Sequence, residues 1–196
     1  MRGLLIAFEG VDGAGKTTQA KRLVKRLSEN GLQTRYTCEP TRSGPGRILR
    51  AIAYKGGVDA RVEALLFAAD RLIHLRRVIE PLLERGVIVV SDRYLHSSLA
   101  YQSVTTGNLM WVEEINRFAR RPDLGLLLDV DPEVGLKRLR RKRTRFEDAD
   151  FLKKVRERYL EYVERGELVR IDAARGPDEV FSEIVKVIEE ALSRMG

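Results

Sequence analysis

Cysteine, histidine and tryptophan are nearly absent from this chain: one Cys, two His and one Trp in 196 residues. The single Cys38 excludes an internal disulfide and fits a reducing compartment. His74 and His96 stand apart from any ligand constellation, so no zinc site is expected. No apolar run approaches the length of a membrane span, which points to a cytoplasmic protein with no membrane partner. The opening Met1–Phe8 has the look of a short signal peptide, but Glu9 and a Gly-rich loop follow where a cleavage region would sit. It reads better as a buried strand. No internal repeat, low-complexity tract or Pro/Gly/Ser linker interrupts the chain, and residues 1–196 are expected to form one domain with a sizeable core. Asn and Gln are also sparse beside abundant Arg and Glu, a compositional pointer to a thermophilic source.

What the chain has in abundance is positive charge, +7 net, with 33% charged residues and 43% hydrophobic ones. Such a balance suits either a nucleic-acid partner or small polyanionic substrates. Buried-strand patterns lie at Leu4–Phe8, Thr34–Cys38, Val87–Ser91 and Gly125–Val130, with a weaker one at Leu168–Ile171. The clearest helical periods run over Thr17–Leu27, Val62–Leu83, Pro132–Arg141, Phe151–Arg165 and Asp178–Leu192, with Pro132 and Pro177 at first-turn positions. Alternation of strand and helix predicts a doubly wound α/β protein around a five-stranded parallel sheet. Ligands on such sheets bind beyond the carboxyl ends of the strands. The chemistry is therefore expected at Gly10–Thr17, Glu39–Arg42, Asp92–Gln102 and Asp129–Asp131.

The first of these segments, Gly10-Val11-Asp12-Gly13-Ala14-Gly15-Lys16-Thr17, matches the phosphate-binding pattern G-x-x-x-x-G-K-[ST], between a strand and a helix. A chance match in this length is on the order of one percent. Its backbone N–H groups and the positive end of the following helix, which Thr18 continues, suit the phosphates of ATP. Lys16 can bridge the β- and γ-phosphates, and Thr17 can ligate Mg²⁺. Asp12 would repel a triphosphate, so its side chain must point elsewhere: toward a hydroxyl of a second substrate, or simply into a turn. After the third strand come Asp92, placed to hold Mg²⁺ or its water shell, and Arg93, able to fork two N–H donors onto a phosphate. A capped helix N-terminus is the plainer alternative for that pair. A basic run follows later: seven of the nine residues Lys137–Arg145 are Lys or Arg. Such a run is usually a solvated face or a nucleic-acid patch. No aromatic residues interleave it as base-stacking surfaces require, which weighs against nucleic acid as partner.

The segment Asp92-Arg93-Tyr94-Leu95-His96-Ser97-Ser98-Leu99-Ala100-Tyr101-Gln102 fits the D-R-Y-x-x-S-x-x-A-Y-Q signature of the thymidylate (dTMP) kinases. Phe8–Asp12, Glu39-Pro40, Leu65–Arg71 with His74, Leu128–Pro132 and Ile171–Ala173 resemble that family's other motifs in order and spacing, although Cys38 stands where an Arg is usual. The resemblance runs through almost the whole chain. It implies a P-loop kinase fold with a lid near residues 137–148, working on ATP with Mg²⁺ and on dTMP, to give dTDP for dTTP synthesis, in a homodimer. A kinase for another nucleoside monophosphate or for a deoxynucleoside is the near alternative. By resemblance, Phe67 stacks on thymine, Arg71 donates to its O4, Ser97 and Gln102 line the base pocket, and Tyr101 lies under the sugar. Asp12 would then meet the 3′-hydroxyl, and Glu39 and Arg93 belong to the dTMP side, with Arg42 and Arg47 as possible additions at the phosphate. Some members carry a catalytic Arg at the position of Gly13. This chain resembles the branch that supplies it from the lid, with Arg143 and Arg145 joining Lys16 and Arg93 as the catalytic cations. Backbone near Ala173–Gly176 would border the adenine.

Overall fold

Five short strands lie side by side in the order β2-β3-β1-β4-β5, all parallel. They are β1 Leu5–Glu9, β2 Thr34–Cys38, β3 Ile88–Asp92, β4 Leu124–Asp129 and β5 Val169–Asp172. The computed structural model describes residues 3–55, 57–139, 146 and 148–195. Every residue of β1 and β3 is buried, as the unbroken apolar runs require of strands covered on both faces. The helices α1 Lys16–Glu29, α2 Gly44–Lys55, α3 Ala60–His74, α4 Glu80–Glu84, α5 Leu95–Thr106, α6 Leu109–Ile115, α7 Pro132–Arg138, α8 Ala149–Glu164 and α9 Pro177–Met195 cover the sheet. The predicted doubly wound sheet is therefore present, with strand limits within one residue of those expected.

The helices depart further from expectation. The single segment Val62–Leu83 is instead α3, one π-helical turn at Leu75–Ile79, and α4. Pro81 lies just past that turn. It has no N–H to donate, so a locally widened turn lets the axis continue. The segment Pro132–Arg141 stops as a helix at Arg138, and Leu139 is extended. Helices α2, α5 and α6 were not among the clear periodic segments. Pro132 and Pro177 do occupy first helical positions. Asp131 caps α7 and Asp148 caps α8, each accepting from a backbone N–H in the first turn.

The strand order sends the chain to opposite sides of β1, leaving a crevice beyond the carboxyl ends of β1 and β3. Glu9, Cys38, Asp92, Asp129 and Asp172 end the five strands along that edge. Asp129, at the end of β4, is not aimed at a ligand. Arg156 holds both its oxygens, at 2.6 and 2.9 Å, and Arg170 also reaches it, at 2.8 Å. Burial alone would raise its pKa, but these bonds outweigh burial and hold it low.

Candidate active site

Two cavities adjoin at the carboxyl edge, of about 600 and 740 Å³. Asp12, Glu39, Pro40, Arg50 and Arg93 line both. The larger contains the loop between β1 and α1. Lys16 is buried there, with its ammonium donating to the Val11 carbonyl at 2.8 Å. Its pKa is lowered to about 8, first by burial and then by the charge of Arg93. Asp12 through Thr18 line this cavity, whereas Gly10 and Val11 support it through carbonyls that accept from Arg93 and Lys16. The Thr17 hydroxyl touches the Asp92 carboxylate, which also accepts from the Tyr36 hydroxyl at 3.3 Å. Both are hard oxygen donors, the set that suits Mg²⁺ with one carboxylate, one hydroxyl and phosphate oxygens. Arg138 and Arg175 lie on the far wall, and Arg138 donates to the carbonyls of Ala173 and Ala174 at 2.9 and 3.2 Å.

Gly13 explains one feature of the loop. Its φ is +81°, and a Cβ there would run into the backbone carbonyl of Gly135 in α7. A Cβ at Gly135 would in turn come within 2.6 Å of the Asp12 carbonyl. The phosphate loop and α7 thus touch backbone to backbone, and an L-residue at position 13 would be strained in conformation and would force α7 to shift.

The smaller cavity gathers Asp12, Glu39, Phe67, Arg71, Arg93, Ser97, Tyr101 and Gln102, all eight residues expected on the acceptor side. Phe67 is half-buried on its wall rather than in the core, the position its neighbours Leu65 and Leu66 would suggest. Arg71, which alone reads as a surface charge, is 1% exposed. Its Nε donates to Glu39 at 3.0 Å, its Nη2 to the Tyr94 carbonyl and the Ser98 hydroxyl at 3.0 and 2.9 Å, and its Nη1 to Asn116. Among the described residues four of its five N–H groups are thereby engaged, leaving one on Nη1. The second Glu39 oxygen meets His74 Nδ1 at 3.0 Å, and His74 Nε2 meets the Thr37 hydroxyl at 2.6 Å. Glu39 is therefore occupied in orienting Arg71.

Arg93 sits where the cavities meet, with a left-handed φ of 68°. Its Nη2 donates to Asp12 at 2.8 Å, and its Nη1 to the Gly10 carbonyl and the Ser97 hydroxyl, both at 3.2 Å. Ser97 gives its own hydrogen to Glu9 at 2.6 Å, so it holds the arginine in place. Glu9, wholly buried, also accepts from the Tyr94 backbone at 3.1 Å and fixes the tight turn after β3. Sequence reasoning missed Arg50. It projects from α2 into both cavities, whereas Arg42 and Arg47 line neither. Its position eleven residues after Glu39, across an unrecognised helix, carried no local signal. Phe146 also lines the smaller cavity and packs on Tyr101 with ring centroids 6.2 Å apart. Arg143 and Arg145 lie outside the described residues.

A parallel sheet in this order, with a glycine-rich phosphate loop facing a second cavity across a shared arginine, defines a P-loop phosphotransferase acting on two substrates. The thymidylate kinase family profile matches residues 8–184. A probable thymidylate kinase of Staphylothermus marinus is 45% identical over 97% of this chain and 96% of its own length. That of Methanocaldococcus jannaschii is 45% identical over 93% and 94%, and that of Pyrococcus abyssi 41% over 98% of both. The chain belongs to the thymidylate kinase family.

Proposed function

We propose that the chain transfers the γ-phosphoryl group of ATP to dTMP, giving ADP and dTDP, with ATP in the larger cavity and dTMP in the smaller. The observation that carries this reading is the junction at Arg93, where a triphosphate loop and a pocket bearing Phe67 and Arg71 face each other. The acceptor is already an anion, so no general base is needed. The barrier is the approach of two polyanions in line, and catalysis rests on position and neutralising charge. Lys16 supplies charge at the β- and γ-phosphates, and Arg93 and Arg50 supply it from the acceptor side. Thr17 and Asp92 would hold Mg²⁺, which when bound adds positive charge to the phosphate oxygens. Arg143 and Arg145 complete the set from the lid, and residues 1–196 act as one domain.

On the acceptor side the remaining Arg71 donor suits thymine O4, and Phe67 suits the ring face. A cytosine would set its amine against that donor and leave both unpaired. Tyr101 under the sugar disfavours a 2′-hydroxyl, Asp12 meets the 3′-hydroxyl, and Gln102 borders the base. Exposed Ile48, Val62 and Leu65 on α2 and α3 offer an apolar face for the homodimer. No helix among the described residues is long and apolar enough to cross a membrane, and the reduced Cys38 fits a cytoplasmic setting. ADP release measured across a panel of acceptors tests the assignment. Turnover of dTMP should exceed that of dUMP, CMP and thymidine by about tenfold or more. Equal or faster turnover of any of the three would overturn it.

A further inference from the structure

Phe67, Asp70, Arg71 and His74 fall at i, i+3, i+4 and i+7 on α3 and so share one face. Phe67 and Arg71 line the acceptor cavity, and His74 braces Glu39 behind it. Asp70 lines neither cavity, yet it is 1% exposed and its carboxylate is fully committed. Oδ2 accepts from the Thr41 backbone N–H at 2.7 Å, and Oδ1 accepts from the hydroxyls of Thr41 and Ser43 at 2.6 and 2.5 Å. Three donors from one three-residue stretch justify burying a charge that would otherwise be costly.

That stretch is also where Arg50 is held. Arg50 Nε donates to the Thr41 carbonyl at 3.3 Å, and its Nη2 donates to the Pro40 carbonyl. Gly46, in the first turn of α2, lies so close that a Cβ there would strike the Thr41 carbonyl and come within 2.8 Å of Asp70 Oδ1. Asp70, the turn and α2 therefore pack as one unit with no methyl-sized gap between them.

We propose that Asp70 is a positioning residue for the acceptor site. It fixes the turn Pro40–Ser43, and through it Arg50, at a set distance from Phe67 and Arg71 on its own helix. The base readers and the phosphate holder are thus gauged from the same element. The inference rests on the reading above that Arg50 faces the acceptor phosphate. Its signature is selective. Loss of Asp70 should weaken what the phosphate adds to binding, and leave the grip on the base and on ATP intact.

The test compares Asp70→Ala, Asp70→Asn, Gly46→Ala, Arg50→Ala and the Asp70→Ala/Arg50→Ala double variant in the full chain. Binding of dTMP and of thymidine is measured for each, with KM for ATP and a thermal melt. Asp70→Ala should weaken dTMP by about tenfold and thymidine by less than about threefold, with KM for ATP unchanged. Asp70→Asn, which keeps an acceptor oxygen for the turn, should recover most of the loss. Gly46→Ala should repeat the dTMP-selective loss, although helix propensity alone would make it stabilising. It also keeps the question answerable if Asp70→Ala does not fold. The double variant should bind dTMP about as weakly as the worse single one, because the two residues act in series. Equal losses for dTMP and thymidine, or additive losses in the double variant, would overturn the proposal. If Arg50→Ala weakens dTMP selectively and neither Asp70→Ala nor Gly46→Ala does, only this inference fails. If Arg50→Ala leaves dTMP binding unchanged, the acceptor-phosphate reading beneath it fails as well.

Discussion

Lys16 and Arg71 are both cations carried almost entirely inside the protein, at 6% and 1% exposure, and they are stabilised differently. Arg71 gives four of its five N–H groups to Glu39, Asn116, Ser98 and a carbonyl, whereas Lys16 has the Val11 carbonyl as its close partner and a pKa lowered to about 8. A triphosphate bound as proposed would restore the Lys16 proton, so the complex would bind more protons than the free enzyme in this range. Affinity for ATP should therefore be full below about pH 8 and decline as pH rises above it. The same depression makes the unfolded chain the better proton binder between about 8 and 10.5, so the stability cost of burying Lys16 fades as pH rises through that window. Calorimetric titration with ATP from neutral pH to about pH 9.5 reads the first effect, with Lys16→Arg as a control that stays charged. An affinity that is flat with pH would show that Lys16 does not face the phosphates. The two differ in how far they could be read locally. Lys16 follows from a contiguous pattern, but Arg71 depends on partners 32 and 45 positions away. An isolated Arg on a helix gives no sign of them. Phe67 was hidden for the converse reason, since an aromatic beside two leucines reads as core until a cavity opens next to it.

Among the elements, β1, β3 and β4 were legible because mostly apolar runs leave few alternatives, whereas the edge strands β2 and β5 mix polar with apolar residues; every strand formed a parallel neighbour. Helices were legible only where one face meets solvent. Eight of the twelve residues of α5 are buried, so it has no polar stripe to mark its period. Helix α2 opens Gly44-Pro45-Gly46, which reads as a turn; Gly46 is there because α2 lies against Thr41 and Asp70. The contact between the phosphate loop and α7 is of the same kind. Gly13→Ala should lower the melting temperature and raise KM for ATP roughly tenfold, since a left-handed L-residue costs ~1–2 kcal/mol before any collision is counted. A Gly13→Ala enzyme with wild-type melting temperature and KM for ATP would mean that the loop and α7 part freely.

Across the molecule, the +7 net charge finds its use in two adjoining anion sites. Lys16, Arg50, Arg93, Arg138 and Arg175 all line one cavity or both, drawn from three helices and two loops that are distant in sequence. In the reading above, Arg143 and Arg145 add the charge that the phosphate loop itself lacks. Alanine at either position should cut kcat by about tenfold or more, with a much smaller change in dTMP binding. Two variants with unchanged kcat would remove the lid from catalysis. The Gly13–Gly135 contact limits where such charge can be mounted. An arginine arriving at position 13 by a single mutation would meet α7 before it met a phosphate. A side chain at position 13 would need α7 to move first, so the bare loop and the helix above it can change only together.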